Sequence, residues 1–238
     1  MKNLVLGSLF AAVVSQAAGC VISSDDDAVI TATWRFENAA SGTETGCPSG
    51  FDTAAVYSQP VNGLNQPVGS PIIDLFDCVD GIGSTAPLPP DVYQVWVEIT
   101  SGSGGSVYAQ SVSAIVDVVS SDKTFNATIL NDGGYFALSW ELFDAQTNAP
   151  LECSTAGSQG VSVLSTSVAN QSSFVDDVFT CEDHYGVTGG LLAGAYTVAV
   201  SALGAGDASI GQAPVLTNKL IGVQNDVTDL GTINIPIE

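Results

Sequence analysis

The chain has 238 residues, of which 25 are acidic and only four are basic, so its formal net charge is −21 at pH 7. A surface this negative repels nucleic acid, anionic lipid headgroups and acidic polysaccharides, which excludes those classes as binding partners. Only 12% of the residues are charged. Most of the surface must therefore be uncharged and polar, as is common in exported β-proteins.

Residues 1–19 have the pattern of an export signal. Lys2 is followed by an apolar run, Leu4 to Val14, which is too short to span a bilayer but suits the apolar core of a signal peptide. Residues 17–20 read Ala-Ala-Gly-Cys and resemble the lipobox of bacterial lipoproteins, although Ala17 stands where that family commonly has Leu. The resemblance implies cleavage before Cys20 and acylation of this cysteine, with palmitate among the chains. An ordinary cleavable signal with an incidental cysteine is the alternative.

The residues after Cys20 bear on localisation. In enteric lipoproteins an Asp directly after the lipidated cysteine retains the protein in the inner membrane. Val21 occupies that position here, which by the same resemblance implies an outer-membrane lipoprotein of the cell envelope. Residues 20–27 end in three aspartates and are predicted to form a short acidic tether in solvent.

The first predicted strand begins directly after the tether. Ile30, Ala32, Trp34 and Phe36 alternate with polar residues, and this period of two predicts a strand with one buried face. The same alternation recurs at residues 136–142. Other short runs rich in Val, Thr and Ser follow, separated by Gly, Pro, Asn and Asp, and no stretch shows a helical period.

Four landmark residues recur about 105 residues apart, which indicates an internal duplication. The first copies are Trp34, Cys47, Cys78 and Tyr93, and the second copies are Trp140, Cys153, Cys181 and Tyr196. We therefore predict an all-β protein with two tandem modules, residues 28–130 and 131–238. About seven short strands in each module are typical of a β-sandwich.

The duplication also sorts the five cysteines. Four cysteines allow three pairings, and the local pairs Cys47–Cys78 and Cys153–Cys181 are favoured because each module must have been able to fold alone. Disulfides suit an exported protein, since the compartment is oxidising. The fifth cysteine, Cys20, stays unpaired, which agrees with lipidation.

A second resemblance comes from residues 88–97, LPPDVYQVWV, and residues 191–200, LLAGAYTVAV. Both are similar to the L-P-x-G-x-Y-x-V-x-V segment of prealbumin-like modules, the carboxypeptidase-regulatory-like and collagen-adhesin B-type repeats. Asp91 stands where the family prefers Gly, and the second copy lacks both prolines. The resemblance implies that the Tyr packs at the end of a sandwich while the Val residues fill its core.

The tandem arrangement behind a lipobox further resembles envelope lipoproteins of myxobacteria and their relatives. This resemblance implies no particular activity.

Trp96 is the first candidate binding residue. Alternation places it on the face opposite Tyr93, Val95 and Val97, and the second copy has Ala199 at this position. An exposed Trp on a sheet face can stack on a sugar ring or contact a partner protein. Alternatively, the second module or a loop covers it.

Four aspartates at matching positions are weak candidates for calcium ligands, because calcium needs several converging oxygens. They are Asp74, Asp80, Asp177 and Asp183. The alternative is that they cap turns, which Asp favours through local hydrogen bonds.

His184 is the only histidine, and we expect it in a surface turn. The sequence has no G-x-S-x-G, H-E-x-x-H or P-loop motif, so we predict neither an enzyme nor a cofactor. Paired carboxylates of a glycosidase are not excluded by residue types alone.

The preferred interpretation is a non-catalytic lipoprotein, anchored to the membrane through Cys20, that serves structural display, adhesion or binding of an extracellular glycan or protein. The alternative is a carbohydrate-binding module centred on Trp96, assisted by calcium.

Overall fold

The computed structural model describes residues 27–238. The signal sequence, Cys20 and its lipid, and the tether up to Asp26 lie outside the described residues. Strands make up 58% of the described residues and helices 6%, and the protein folds as two disulfide-bonded β-sandwiches in tandem, as predicted. Between residues 27 and 238 no helix is both long enough and apolar enough to cross a membrane.

The first module is built from nine strands in two sheets. They are β1 (Ile30–Asn38), β2 (Thr43–Thr45), β3 (Thr53–Pro60), β4 (Ile72–Asp77), β5 (Ile82–Ser84), β6 (Val92–Thr100), β7 (Val107–Gln110), β8 (Ala114–Asp117) and β9 (Lys123–Leu130). One sheet has the order β4-β3-β6-β7, with β8 also paired to β6. The other has the order β2-β1-β5, with β9 parallel to β1. The strands beyond the predicted seven include β2 and β5, which are only three residues long.

The second module repeats this plan with ten strands. They are β10 (Gly133–Asp144), β11 (Pro150–Leu151), β12 (Gly160–Ser167), β13 (Phe174–Thr180), β14 (Tyr185–Val187), β15 (Leu191–Leu192), β16 (Gly194–Leu203), β17 (Ser209–Gln212), β18 (Leu216–Ile221) and β19 (Asp226–Ile237), and the one α-helix in residues 27–238 is α1 (Cys153–Ala156). The last strand, β19, again runs parallel to the first, β10. The pair of Gly211 with Ile237 links β17 to β19, so the strands of this module form one hydrogen-bonded sheet.

Each module has its own apolar core, built by the alternation seen in the sequence. In β1 the residues Ile30, Ala32, Trp34 and Phe36 are buried, and the polar residues between them are not. In β6 the fully buried side chains include Val95 and Val97. The Val residues of the L-P-x-G-x-Y-x-V-x-V segment therefore fill the core.

The tryptophan and cysteine landmarks form one hydrogen-bonded unit in each module. The bridges are Cys47–Cys78 and Cys153–Cys181. Trp34 donates its indole N–H to the carbonyl of Cys78 at 2.8 Å, and Trp140 donates to the carbonyl of Cys181 at 2.9 Å. Because both tryptophans are buried, the indole satisfies a carbonyl that water cannot reach.

The tyrosine landmarks also have a common role. The hydroxyl of Tyr93 donates to the carbonyl of Pro89, and that of Tyr196 donates to the carbonyl of Leu192, both at 2.9 Å. Each bond fixes the turn that leads into the central strand β6 or β16. The tyrosine thus packs where the turn meets the sandwich, as the resemblance implies.

The two modules are in contact through Asn225, which is buried between them. Its side-chain oxygen accepts a hydrogen bond from the backbone N–H of Leu130 at 2.6 Å, and its amide donates to the carbonyl of Gln110 at 2.8 Å. Tyr108 also donates its hydroxyl to Asn131 at 3.1 Å. Side chains from both modules therefore hold the short connection between β9 and β10.

Candidate functional site

The candidate site lies on the solvent-facing side of the β4-β3-β6-β7 sheet in the first module. Antiparallel pairing of β3 with β6 places Tyr57 opposite Trp96, and Ala55 opposite Glu98. Pairing of β3 with β4 places Ile73 beside Tyr57. Because side chains alternate along each strand, all five residues lie on the same outer face.

Tyr57 and Trp96 form a stacked aromatic pair on this face. Their ring centroids are 4.8 Å apart and their planes differ by only 8°. Trp96 is therefore half-buried by its neighbour in the same sheet, whereas the sequence suggested full exposure or cover by a loop or the second module. Stacking occupies one face of each ring.

Glu98 connects the two rings. Its carboxylate accepts a hydrogen bond from the indole N–H of Trp96 at 3.2 Å and another from the hydroxyl of Tyr57. Burial raises the pKa of the Tyr57 hydroxyl, and the hydrogen bond to Glu98 and its negative charge raise this pKa further. The Trp96 indole and the Tyr57 hydroxyl thus orient the Glu98 carboxylate as a hydrogen-bond acceptor.

An open groove of about 450 Å³ runs beside the aromatic pair. Its walls come from β3, β4 and β6 and from the loop between β6 and β7. They include Tyr57, Ile73, Leu75, Glu98 and Gly104. Trp96 is not among the lining residues, so Tyr57 contributes the aromatic wall and Trp96 supports it from behind.

The second module has no equivalent of this aromatic pair. Leu164 lies opposite Ala199 where the first module has Tyr57 opposite Trp96. The neighbouring Ser162 donates its hydroxyl to Asp176 at 2.8 Å. Because the two modules share their fold but differ on this face, the groove of the first module is a specific feature and not a consequence of the fold.

Two of the calcium candidates hold the same position in their modules. Asp74 accepts a hydrogen bond from the backbone N–H of Ala86 at 3.2 Å, and Asp177 accepts one from Gly189 at 3.0 Å. Burial raises the pKa of Asp177, although the hydrogen bond from Gly189 lowers it, and the nearby Asp176 raises it again. These carboxylates thus stabilise the chain after β5 or β14.

Asp80 and Asp183 lie in the short 3-10 turns Cys78–Asp80 and Cys181–Asp183. Within residues 27–238 neither pair, Asp74 with Asp80 or Asp177 with Asp183, belongs to a convergent group of three possible metal ligands. Calcium binding at them stays a prediction.

In residues 27–238, one group of three possible metal ligands has all its donor atoms within 4.8 Å of one another. It consists of Cys153, Glu182 and His184. Cys153 is bonded to Cys181, so its sulfur is not available as a thiolate in this state. His184 follows the 3-10 turn and is exposed, as expected for a surface turn residue.

Sequence reasoning missed Tyr57 and the group around His184. The alternation in residues 53–60 could have placed Tyr57 on a solvent-facing side, but its pairing with Trp96 depends on register between distant strands. The Cys181-x-x-His184 spacing was a visible signal for the second group.

Neither a protein-family model nor a curated protein sequence matches the chain. Solved structures do resemble it, at low similarity. The chain is 13% identical to a leucine-rich repeat protein from Bacteroides thetaiotaomicron, with a TM-score of 0.40, over 90% of this chain but only 26% of that one. It is 12% identical to a minor pilin of Streptococcus agalactiae, with a TM-score of 0.31, over 89% of this chain and 96% of the pilin.

A third structure, the shaft pilin of Lactobacillus rhamnosus GG, is 11% identical, with a TM-score of 0.25, over 89% of this chain and 98% of that one. The chain spans about a quarter of the leucine-rich repeat protein. At this level of similarity the comparisons concern the fold alone.

Proposed function

We propose that this protein is a non-catalytic, exported lipoprotein that displays two β-sandwich modules from the cell envelope and binds a neutral glycan through the first module. Lipidated Cys20 anchors it in the outer membrane, and residues 28–130 and 131–238 form the two modules. We also propose that the modules are related to the prealbumin-like or adhesin B-type repeats. The whole protein is proposed to be homologous to envelope lipoproteins of myxobacteria.

The observation that carries the binding role is the groove beside Tyr57, Trp96 and Glu98. An aromatic ring face can pack on the C–H face of a sugar, and a fixed carboxylate can accept hydrogen bonds from its hydroxyls. The net charge of −21 disfavours acidic polysaccharides, so the ligand class is a neutral glycan. A protein partner on the same face is the competing outcome.

The test is an array of neutral oligosaccharides probed with the wild type and two variants. Tyr57→Ala removes the aromatic wall and should abolish binding. Leu164→Ala changes the matching position of the second module and should leave binding unchanged. Equal binding by the wild type and the Tyr57→Ala variant would refute the assignment of the groove, as would the absence of any glycan ligand.

Trp96→Ala tests whether Trp96 contacts the glycan directly or only supports the ring of Tyr57. It removes the ring behind Tyr57 and should weaken binding without abolishing it, because Trp96 does not line the groove. The stacked pair contributes about 0.5–1.5 kcal/mol beyond the area that the rings bury. Because Trp96 is less buried than Trp34 or Trp140, the melting temperature should fall less than for alanine at either of those tryptophans. A fall of many degrees would mean that Trp96 has a mainly structural role.

The anchoring part of the proposal has its own test. Protease treatment of intact cells, combined with membrane fractionation, should find the wild type in the outer membrane and the Cys20→Ala variant missing from it. An unchanged membrane fraction for the variant would contradict lipid anchoring. Digestion from outside would identify surface display, whereas protection would indicate a periplasmic orientation.

A further inference from the structure

The disulfide turn of the second module carries two side chains that its counterpart lacks. Glu182 and His184 flank Asp183 in the second module, and Val79 and Gly81 hold the matching places in the first. Both turns have the same backbone, because His184 and Gly81 adopt left-handed conformations with φ of 54° and 64°. The second module thus keeps an imidazole where the backbone favours glycine.

These side chains converge on the bridge. One donor atom each from Cys153, Glu182 and His184 lies within 4.8 Å of the others, and Cys181 is covalently bonded to Cys153. Two thiolates, an imidazole and a carboxylate are the ligand types that zinc binds in tetrahedral sites. In such a site two sulfurs lie about 3.7 Å apart, so the sulfurs must separate when the metal replaces the bond.

The turn is held by more than its disulfide. Trp140 donates its indole N–H to the carbonyl of Cys181 and its backbone N–H to the carbonyl of His184, at 2.9 and 3.3 Å. Cys181 in turn donates its N–H to the carbonyl of Gln159 at 3.3 Å. These bonds do not depend on the sulfur bridge, so they keep Cys181, Glu182 and His184 in place after reduction. The segment that carries Cys153 has its own bond, from the N–H of Ser158 to the carbonyl of Cys153 at 2.9 Å.

We propose that reduction of the Cys153–Cys181 bridge converts this turn into a binding site for a zinc-type divalent cation, with Cys153, Cys181, His184 and Glu182 as ligands. A dithiol is the reductant: its two hydrogens pass to the cysteine sulfurs, and its own sulfurs form a disulfide. Metal binding then displaces the two thiol protons. The oxidised state has a covalent cross-link at this turn, and the reduced state has a metal cross-link at the same place.

The test uses the full chain carrying Cys20→Ala, so that this cysteine contributes no thiol. A phosphine reduces the bridges without binding metal strongly: it becomes a phosphine oxide, and water supplies the oxygen and the two protons. Cobalt(II) is the probe, because thiolate ligation gives a charge-transfer band and a tetrahedral site gives intense visible bands. We expect both for the reduced protein at one equivalent and neither for the oxidised protein.

Two reciprocal swaps provide the controls. Glu182→Val with His184→Gly gives the second module the residues of the first, and should weaken cobalt and zinc binding at least tenfold. Val79→Glu with Gly81→His does the reverse beside Cys47 and Cys78, and should add a second equivalent. Near-ultraviolet circular dichroism is recorded with Trp34→Phe and Trp96→Phe also in place, so that Trp140 is the one remaining tryptophan. It reports whether the reduced turn keeps its structure or regains it with zinc.

The proposal is overturned if the reduced protein shows no charge-transfer band, or if the first swap leaves the cobalt affinity unchanged. It is also overturned if the Trp140 signal is lost on reduction and zinc does not restore it.

Discussion

In each module a buried tryptophan donates its indole N–H to the carbonyl of a disulfide-bonded cysteine. Trp140→Phe tests how much this hydrogen bond stabilises the fold. The replacement keeps an aromatic ring but removes the indole N–H that donates to the carbonyl of Cys181 at 2.9 Å. That carbonyl then keeps only a long contact of 3.3 Å from the N–H of His184. Losing a partner for a buried polar group costs about 1–3 kcal/mol, and the missing ring atoms add about 1 kcal/mol.

We therefore expect Trp140→Phe to lower the free energy of unfolding by about 2–4 kcal/mol, with a fall in the melting temperature of the second module of about 10–30 °C. Urea unfolding followed by far-ultraviolet circular dichroism measures the change without relying on tryptophan fluorescence. Trp34→Phe breaks the same bond in the first module and should cost a similar amount.

Trp96→Phe is the matched control, because it makes the same chemical change at a less buried site. It keeps the stack on Tyr57 and loses only the bond to Glu98, so it should cost less than about 1 kcal/mol. If Trp140→Phe costs no more than Trp96→Phe, the buried indole bond is not what stabilises the turn, and the reasoning fails.

Three further predictions concern the bridges and the shifted pKa values. Replacing Cys47 and Cys78 by Ala should cost about 3.7 kcal/mol by the chain-entropy relation for a separation of 31 residues; a loss under about 1 kcal/mol in urea unfolding would contradict it. Burial raises the pKa of Asp177, so the folded state binds the proton more tightly, and stability falls as the pH rises above the ordinary aspartate pKa. Asp177→Asn should therefore stabilise the second module at neutral pH by less than about 4 °C and give no gain well below that pKa; an equal gain at both would exclude the charge as the cause. Burial raises the pKa of Tyr135 to about 12, and the charge of Glu37 adds to the rise. Tyr135→Phe should therefore remove the phenol that loses its proton at the highest pH in an ultraviolet titration. An unchanged titration curve would disprove the shift.

The buried strand faces and the disulfides of each module were predictable, because each follows from residues that lie close together in the sequence. The alternation through Trp34 fixes which face of β1 is buried, and the repeated cysteines select the bridges within each module. What alternation cannot supply is the register between strands that are distant in sequence. The stack of Tyr57 on Trp96 depends on how β3 and β6 align, which the loops and the core settle together.

The same limit applies to the landmarks themselves. The recurrence of Trp34 as Trp140 shows that the residue matters to the module, but not that its indole N–H bonds to the cysteine carbonyl. For the candidate site, the sequence placed Trp96 on the correct face and missed that Tyr57 contributes the wall of the groove. A single sequence does not reveal that Tyr57 on one strand covers part of Trp96 on the next.

The parallel pairing of first and last strands has a mechanical consequence. In each module the chain enters along β1 or β10 and leaves along β9 or β19 in the same direction, so the points of entry and exit lie at opposite ends of the ladder. A pulling force along the chain then loads that ladder in shear, and its hydrogen bonds share the load instead of opening one by one. Modules connected in this way resist extension when a force is applied along the chain.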